Sequence, residues 1–129
     1  ADIREVIWEK LIVNVGINAI TALTHIKNGR LLDLDVTRDL CRAAVEEAEA
    51  MAKALEISVR DDIVEHVYHI AEATAENRSS MGQDVDHHRL TEISAINGAV
   101  VSEAGKAGIP VPVNQTLTAL VETLQAHYS

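Results

Sequence analysis

At 129 residues the chain has room for one domain. Its 47% hydrophobic and 24% charged residues are those of a folded globular protein, and with no Phe the core has to be built from Ala, Leu, Ile and Val. A net charge of −9 speaks against nucleic-acid backbones and anionic membranes, and a single cysteine, unable to form an internal disulfide, fits a reducing cytoplasm.

Helical periodicity dominates and strand patterns are nearly lacking, so the expected fold class is all-α with five main helices. The first spans roughly Ile3–His25, with Leu11, Ile12, Val15, Ala19, Ala22 and Leu23 as its apolar stripe. It should stop near Lys27-Asn28-Gly29, where Gly29 suits a left-handed cap. Its apolar run falls short of the ~18 residues of a membrane span because Asn14 and Asn18 interrupt it. The charged start, Ala1–Trp8, carries no signal-peptide pattern. Residues 30–36 read as a loop or short turn. Thr37 reads as the N-cap of a second helix over Arg38–Leu55, with Leu40, Ala44, Val45, Ala48, Met51, Ala52 and Leu55 inward.

Ser58 and Asp61 give a weak capping signal for a third helix over Asp61–Thr74, which buries Ile63, Val64, Val67, Ile70 and Ala71. The polar stretch Glu76–His88 reads as a connection with at most a short helical turn. A fourth helix covers Thr91–Ala107 with Ile93, Ile96, Val100 and Val101 inward. Gly108 caps it, and Pro110 and Pro112 forbid its continuation. Asn114 caps a fifth helix through Ala126, with Leu117, Leu120, Val121 and Leu124 inward.

Three polar residues on the first helix, Lys10, Asn14 and Asn18, are spaced four apart. Each step turns the helix only ~40° past a full turn, so all three stay within about 80° of one face along ~12 Å of axis. One amine and two carboxamides in apolar company form a row suited to an anion or a carbonyl; the same spacing fits an ordinary solvated face. The histidine pairs His66/His69 and His87/His88 lack partners at zinc-site spacing, so no metal is expected. The six glycines never form G-x-G-x-x-G and none follows a strand pattern, so no dinucleotide fingerprint is present.

Four stretches carry a resemblance: W-E-K-L-x-x-N-x-x-I-N-x-x-T-A-L at Trp8–Leu23, K-N-G at Lys27–Gly29, S-S-M-x-Q-D at Ser79–Asp84 and R-x-T-E-I-x-x-I-N-G at Arg89–Gly98. Together, across nearly the whole chain, they resemble the C-terminal, substrate-binding domain of ketopantoate reductase (2-dehydropantoate 2-reductase). The resemblance implies the helical half of a 6-phosphogluconate-dehydrogenase-like, two-domain oxidoreductase. Such an enzyme reduces 2-dehydropantoate to pantoate with NADP(H), on the route to pantothenate and coenzyme A. The cofactor would be held mainly by an N-terminal Rossmann domain that residues 1–129 lack, so the chain is expected to be a fragment, inactive alone.

By the same resemblance Lys10 is the proton donor, and Asn14, Asn18 and Ser80 hold the keto acid. Asn28 and Asn77 reach the substrate or merely shape their turn and loop. Glu92 contacts the nicotinamide ribose, although a carboxylate early in a helix is also stabilised by the helix dipole. Glu47 reads as an exposed helix glutamate. Two other readings fit these residues: a reductase of another 2-keto acid with the same plan, or a helical dimerisation module without chemistry, pairing as a homodimer.

Overall fold

The computed structural model describes residues 2–129, and among them there is no strand. Helix α1 (Ile3–Thr24) runs through the middle; α2 (Asp35–Ala54), α3 (Ile63–Ala73), α4 (Ser80–Asp86) and α6 (Pro112–Ala126) pack around it. Helix α5 (Asn97–Ala107) pairs with α6 and leans on α2. Short 3-10 turns occupy Asn28–Leu32 and Ile93–Ala95.

Asp2 starts α1 by accepting the Arg4 amide at 2.9 Å. From Val15 to Ala22 the helix is swallowed by the fold, every residue buried on all sides rather than along one stripe. Leu11 and Leu23, expected in the stripe, are only half-buried. By length and composition alone α1 could cross a membrane, contrary to the expectation from its two asparagines, yet half of its apolar window is packed inside the protein. It is the core helix.

Several predicted ends move, each for a local reason. Helix α1 stops at His25, which adopts the left-handed conformation (φ 60) expected of Gly29. Gly29 is instead a point of close approach: a Cβ there would lie 2.5 Å from that of Ala75. Helix α2 begins three residues early, and Thr37 lies inside its first turn with its hydroxyl donating to the Leu31 carbonyl at 2.7 Å. No side chain caps α3, because Arg60 binds Asp62 and Ser58 stays exposed. The predicted connection 76–88 contains α4, nearly two turns long, with the Ser79 hydroxyl accepting the Gly82 amide at 3.0 Å.

The predicted helix over Thr91–Ala107 is broken at Ile96 (φ −110, ψ −96). Thr91 is drawn to Gln125 of α6, through its hydroxyl at 2.7 Å and its amide at 3.0 Å. The fold-back lays the Ile93 carbonyl 3.0 Å from where Gly98 would carry a Cβ. Gly108 caps α5 in the left-handed region (φ 70), as expected.

Pro112 does not merely end α5: it opens α6, where its missing N–H costs nothing. Asn114 is not the cap of α6. Glu47 of α2 does that work from outside, accepting the amides of Val113 at 3.0 Å and Asn114 at 2.9 Å. The Asn114 side chain is buried, donating to the Ala44 carbonyl and Glu47 and accepting from Asn97. Leu120, predicted inward, is 50% exposed, while Thr118 takes a buried place beside Leu117 and Val121.

Candidate functional site

The polar row of α1 descends from solvent into the core. Lys10 is exposed, Asn14 half-buried and Asn18 6% exposed. Thr21 continues it: eleven residues past Lys10 is three turns plus about 20°, so Thr21 lies on the same face, and it is fully buried. Its hydroxyl sits 2.7 Å from that of Ser79 and donates to the Ile17 carbonyl at 2.8 Å. Each proton then has one use: Thr21 donates to Ile17, Ser79 to Thr21, and the Gly82 amide to Ser79. This relay pins the start of α4 to the turn of α1 that carries Asn18.

Ser80 follows Ser79 directly and is exposed. Across a hollow of about 120 Å³ it faces the segment carrying Glu92; Met81, Asp84 and Ile96 complete the lining. Next along the chain, Asn97 donates from its amide to the Val15 carbonyl at 3.4 Å and to Asn114 at 3.0 Å. That contact ties the Glu92–Asn97 segment to the middle of α1, between Asn14 and Asn18. Asp84 is paired with Arg89 at 3.1 Å, whereas the exposed Glu92 carboxylate has no partner among the described residues.

Asn28 and Asn77 stand at the other end of α1. The Asn28 amide N–H donates to the Asn77 carbonyl at 3.0 Å, and its side chain is buried, donating to the Thr74 hydroxyl at 3.0 Å. Asn28 is thus spent on the turn, with one carboxamide oxygen sealed and unpartnered. The exposed Asn77 offers its side chain to solvent. A larger hollow of about 620 Å³ lies nearby, lined by Lys27, Arg30 and Glu76 among others, and contains none of the predicted site side chains.

The hydrogen bonds separate the predicted site residues from the side chains around them, with Asn28 alone among the predicted ones engaged. Lys10, Asn14, Asn18, Ser80 and Glu92 make no side-chain hydrogen bond to any described residue. Their neighbours Thr21, Ser79, Asn114 and Glu47 are all engaged, and Asn97 is engaged through its NH2 group, its Oδ1 being buried without a partner. Glu47, expected as an exposed glutamate, is therefore structural. The sealed, unpartnered polar atoms among the described residues are Asn28 Oδ1, Asn97 Oδ1 and Thr118 Oγ1; the Asn18 carboxamide, in a residue only 6% exposed, keeps contact with solvent and is free to meet a ligand. Sequence reasoning missed Thr21 and Ser79; the face continuing past Asn18 was the available signal.

Cys41, His66 and His88 are committed elsewhere. Burial pushes the Cys41 thiol up to about 12, which leaves it a packing residue rather than a nucleophile. His66 contacts Arg60 at 3.1 Å and His88 stacks on Tyr128. No group of three or more His, Cys, Asp or Glu side chains among the described residues could hold a metal.

Residues 2–125 match the family model of the ketopantoate reductase PanE/ApbA C terminal. The chain belongs to this family. A 2-dehydropantoate 2-reductase of Halobacterium salinarum is 41% identical over 122 residues, covering 95% of this chain and 40% of the relative. The crystal structure of a PanE/ApbA family ketopantoate reductase from Ralstonia eutropha superposes with a TM-score of 0.92 at 35% identity, over 98% of this chain and 43% of that one. D-mandelate dehydrogenase, in a ternary structure with NADH and anilino(oxo)acetate, gives 0.91 at 27% identity, over 98% and 54%. The chain thus spans about two-fifths of the curated relative it matches. Membership makes this a domain of an oxidoreductase family whose structural neighbours include a nicotinamide-bound dehydrogenase.

Proposed function

We propose that this domain is the substrate-binding and proton-donating half of an NADP-dependent 2-dehydropantoate 2-reductase, acting in the cytoplasm on a 2-keto acid. The single observation that supports it best is the set of uncommitted polar side chains, Lys10, Asn14, Asn18 and Ser80, leading from solvent to the buried Thr21–Ser79 tether.

The residues present fit one wall of a nicotinamide site and no more. Glu92 is an exposed, unpaired carboxylate able to accept from ribose hydroxyls, while the described residues hold no strand and no glycine-rich phosphate loop. When bound, the cofactor supplies the hydride. As the ketone is reduced its oxygen gains negative charge, and the Lys10 ammonium, with three N–H donors, gives that oxygen a proton. Because the charge develops during reaction, Lys10 stabilises the transition state more than the ground state. Its exposed position lets the amine recover a proton from water. Asn14 and Asn18 donate to the substrate carboxylate and accept from its hydroxyl; Ser80 donates to the carboxylate.

The rest of the nicotinamide site belongs to a nucleotide-binding domain, so the 129-residue chain alone reduces no keto acid. Joined to such a domain, it turns over 2-dehydropantoate with NADPH, and Asn14→Ala and Asn18→Ala raise KM about tenfold or more. Turnover by the chain alone would overturn the division of labour, and unchanged KM in both variants would overturn the assignment of the row. A second reading, a reductase of another 2-keto acid using NADH, draws on the likeness to D-mandelate dehydrogenase; a panel of keto acids with both cofactors separates the two.

A further inference from the structure

Arg78 immediately precedes the two serines, and its side chain is only 15% exposed. Two of its N–H groups fork onto the Asp86 carboxylate at the far end of α4, at 2.9 and 3.0 Å. A third nitrogen, Nη1, donates to the carbonyl of Thr21 and, at 2.9 Å, to that of Ile26. The Thr21 carbonyl, which also accepts the backbone amides of His25 and Ile26, lies in the last turn of α1 and Ile26 just past its cap, where a cation is favoured; that turn has no basic residue of its own. The guanidinium lies against the bare backbone of Gly82, where a Cβ would come within 2.5 Å of its central carbon. One side chain therefore grips both helices at once.

We propose that Arg78 is a positioning residue of the keto-acid site: it fixes Ser80 relative to Asn18. This role rests on the function proposed above. Met81 and Val85 pack α4 onto the core, but apolar packing is non-directional and the Thr21–Ser79 hydroxyl contact is a single pivot, so small rotations of α4 remain open. The Arg78 fork onto Asp86, anchored on Thr21 and Ile26, supplies the second point that stops the rotation. Four of the five guanidinium N–H groups are already used, so Arg78 acts on the substrate through Ser80 and not by touching it. Orientation of this kind governs binding while leaving Lys10 untouched.

The experiment has two arms. In the 129-residue chain, Arg78→Ala raises amide exchange at Gly82 at least tenfold and leaves amides of α2 and α6 unchanged, which shows that the fold survives; Arg78→Lys, keeping the charge without the fork, falls between. In the chain joined to its nucleotide-binding domain, Arg78→Ala raises KM for the keto acid about tenfold, with kcat within threefold and the pH profile of kcat unmoved. Arg78→Ala/Ser80→Ala has the same KM as Ser80→Ala alone. Unchanged exchange at Gly82 overturns the clamp. Unchanged KM with raised exchange, or effects of Arg78 and Ser80 that multiply, overturns the positioning role. If the joined wild-type protein reduces no 2-keto acid, the parent reading fails, and the exchange arm still decides whether Arg78 is the clamp.

Discussion

Both halves of α1 carry large apolar residues, interleaved with Arg4, Glu5, Glu9 and Lys10 in the first half only, and they meet opposite surroundings. From Val15 to Ala22 every side chain is buried by α2, α3, α4 and α6. In the first two turns Ile3, Val6 and Ile7 are 69, 56 and 57% exposed. Along one face Ile3, Ile7, Lys10 and Asn14 follow one another at helical spacing, so uncovered apolar surface runs straight into the polar row. Apolarity in a helix thus reports that cover is wanted, not that it is supplied. The proposed nucleotide-binding domain would meet this open half.

Substitutions sharpen the contrast. The largest loss belongs to Ile20→Ala in the covered half, about 2–5 kcal/mol by denaturant unfolding, because Ile20 is fully buried and its cavity cannot close. Next comes Gly16→Ala. A Cβ there would stand 2.8 Å from Val45 and 2.9 Å from Val67, both packed in the core, so about 1–3 kcal/mol is lost to overpacking.

A smaller effect is pH-dependent. Hydrogen bonds from Arg78, opposed by modest desolvation, hold the Asp86 carboxyl below its ordinary value of 3.8. The folded state thus binds this proton less readily than the unfolded chain. The stabilisation is fully present above about pH 4 and fades as pH falls through the depressed folded value. Thermal midpoints of the wild type and Asp86→Asn should therefore converge below pH 4; a constant gap across that window contradicts the assignment. The effect stays small because the pair is partly exposed. The smallest change belongs to the open half: Ile7→Ala should alter stability by less than about 0.5 kcal/mol. A loss as large as that of Ile20→Ala would mean that the first turns of α1 are covered after all.

What the sequence made legible follows the same division. Core faces of α2, α3 and α6 obey the 3.6-residue period, so Val45, Val67 and Val121 fell where expected. Chain ends did not, because tertiary partners displaced local caps: Thr37 and Asn114 are good capping residues, but Glu47 reaches over from α2 to hold the start of α6. Helix α4 was hidden because a seven-residue helix leans on tethers from Ser79 and Arg78 to Thr21 and Ile26, partners 52 to 58 residues away in the chain. The row Lys10, Asn14 and Asn18 was readable from spacing, whereas its end at Thr21 and Ser79 emerged only in three dimensions. Asn28 shows the reverse: its motif suggests substrate, yet its side chain is turned to Thr74.

The central claim is that Lys10 delivers a proton to a reduced ketone. The direct measurement is kcat for 2-dehydropantoate reduction by the chain joined to its nucleotide-binding domain, wild type against Lys10→Ala, with the thermal midpoint recorded beside it. Lys10 is exposed and unpaired among the described residues, so the midpoint should stay put while kcat falls by about 10²–10⁴. A variant that keeps kcat within twofold of the wild type would contradict the account.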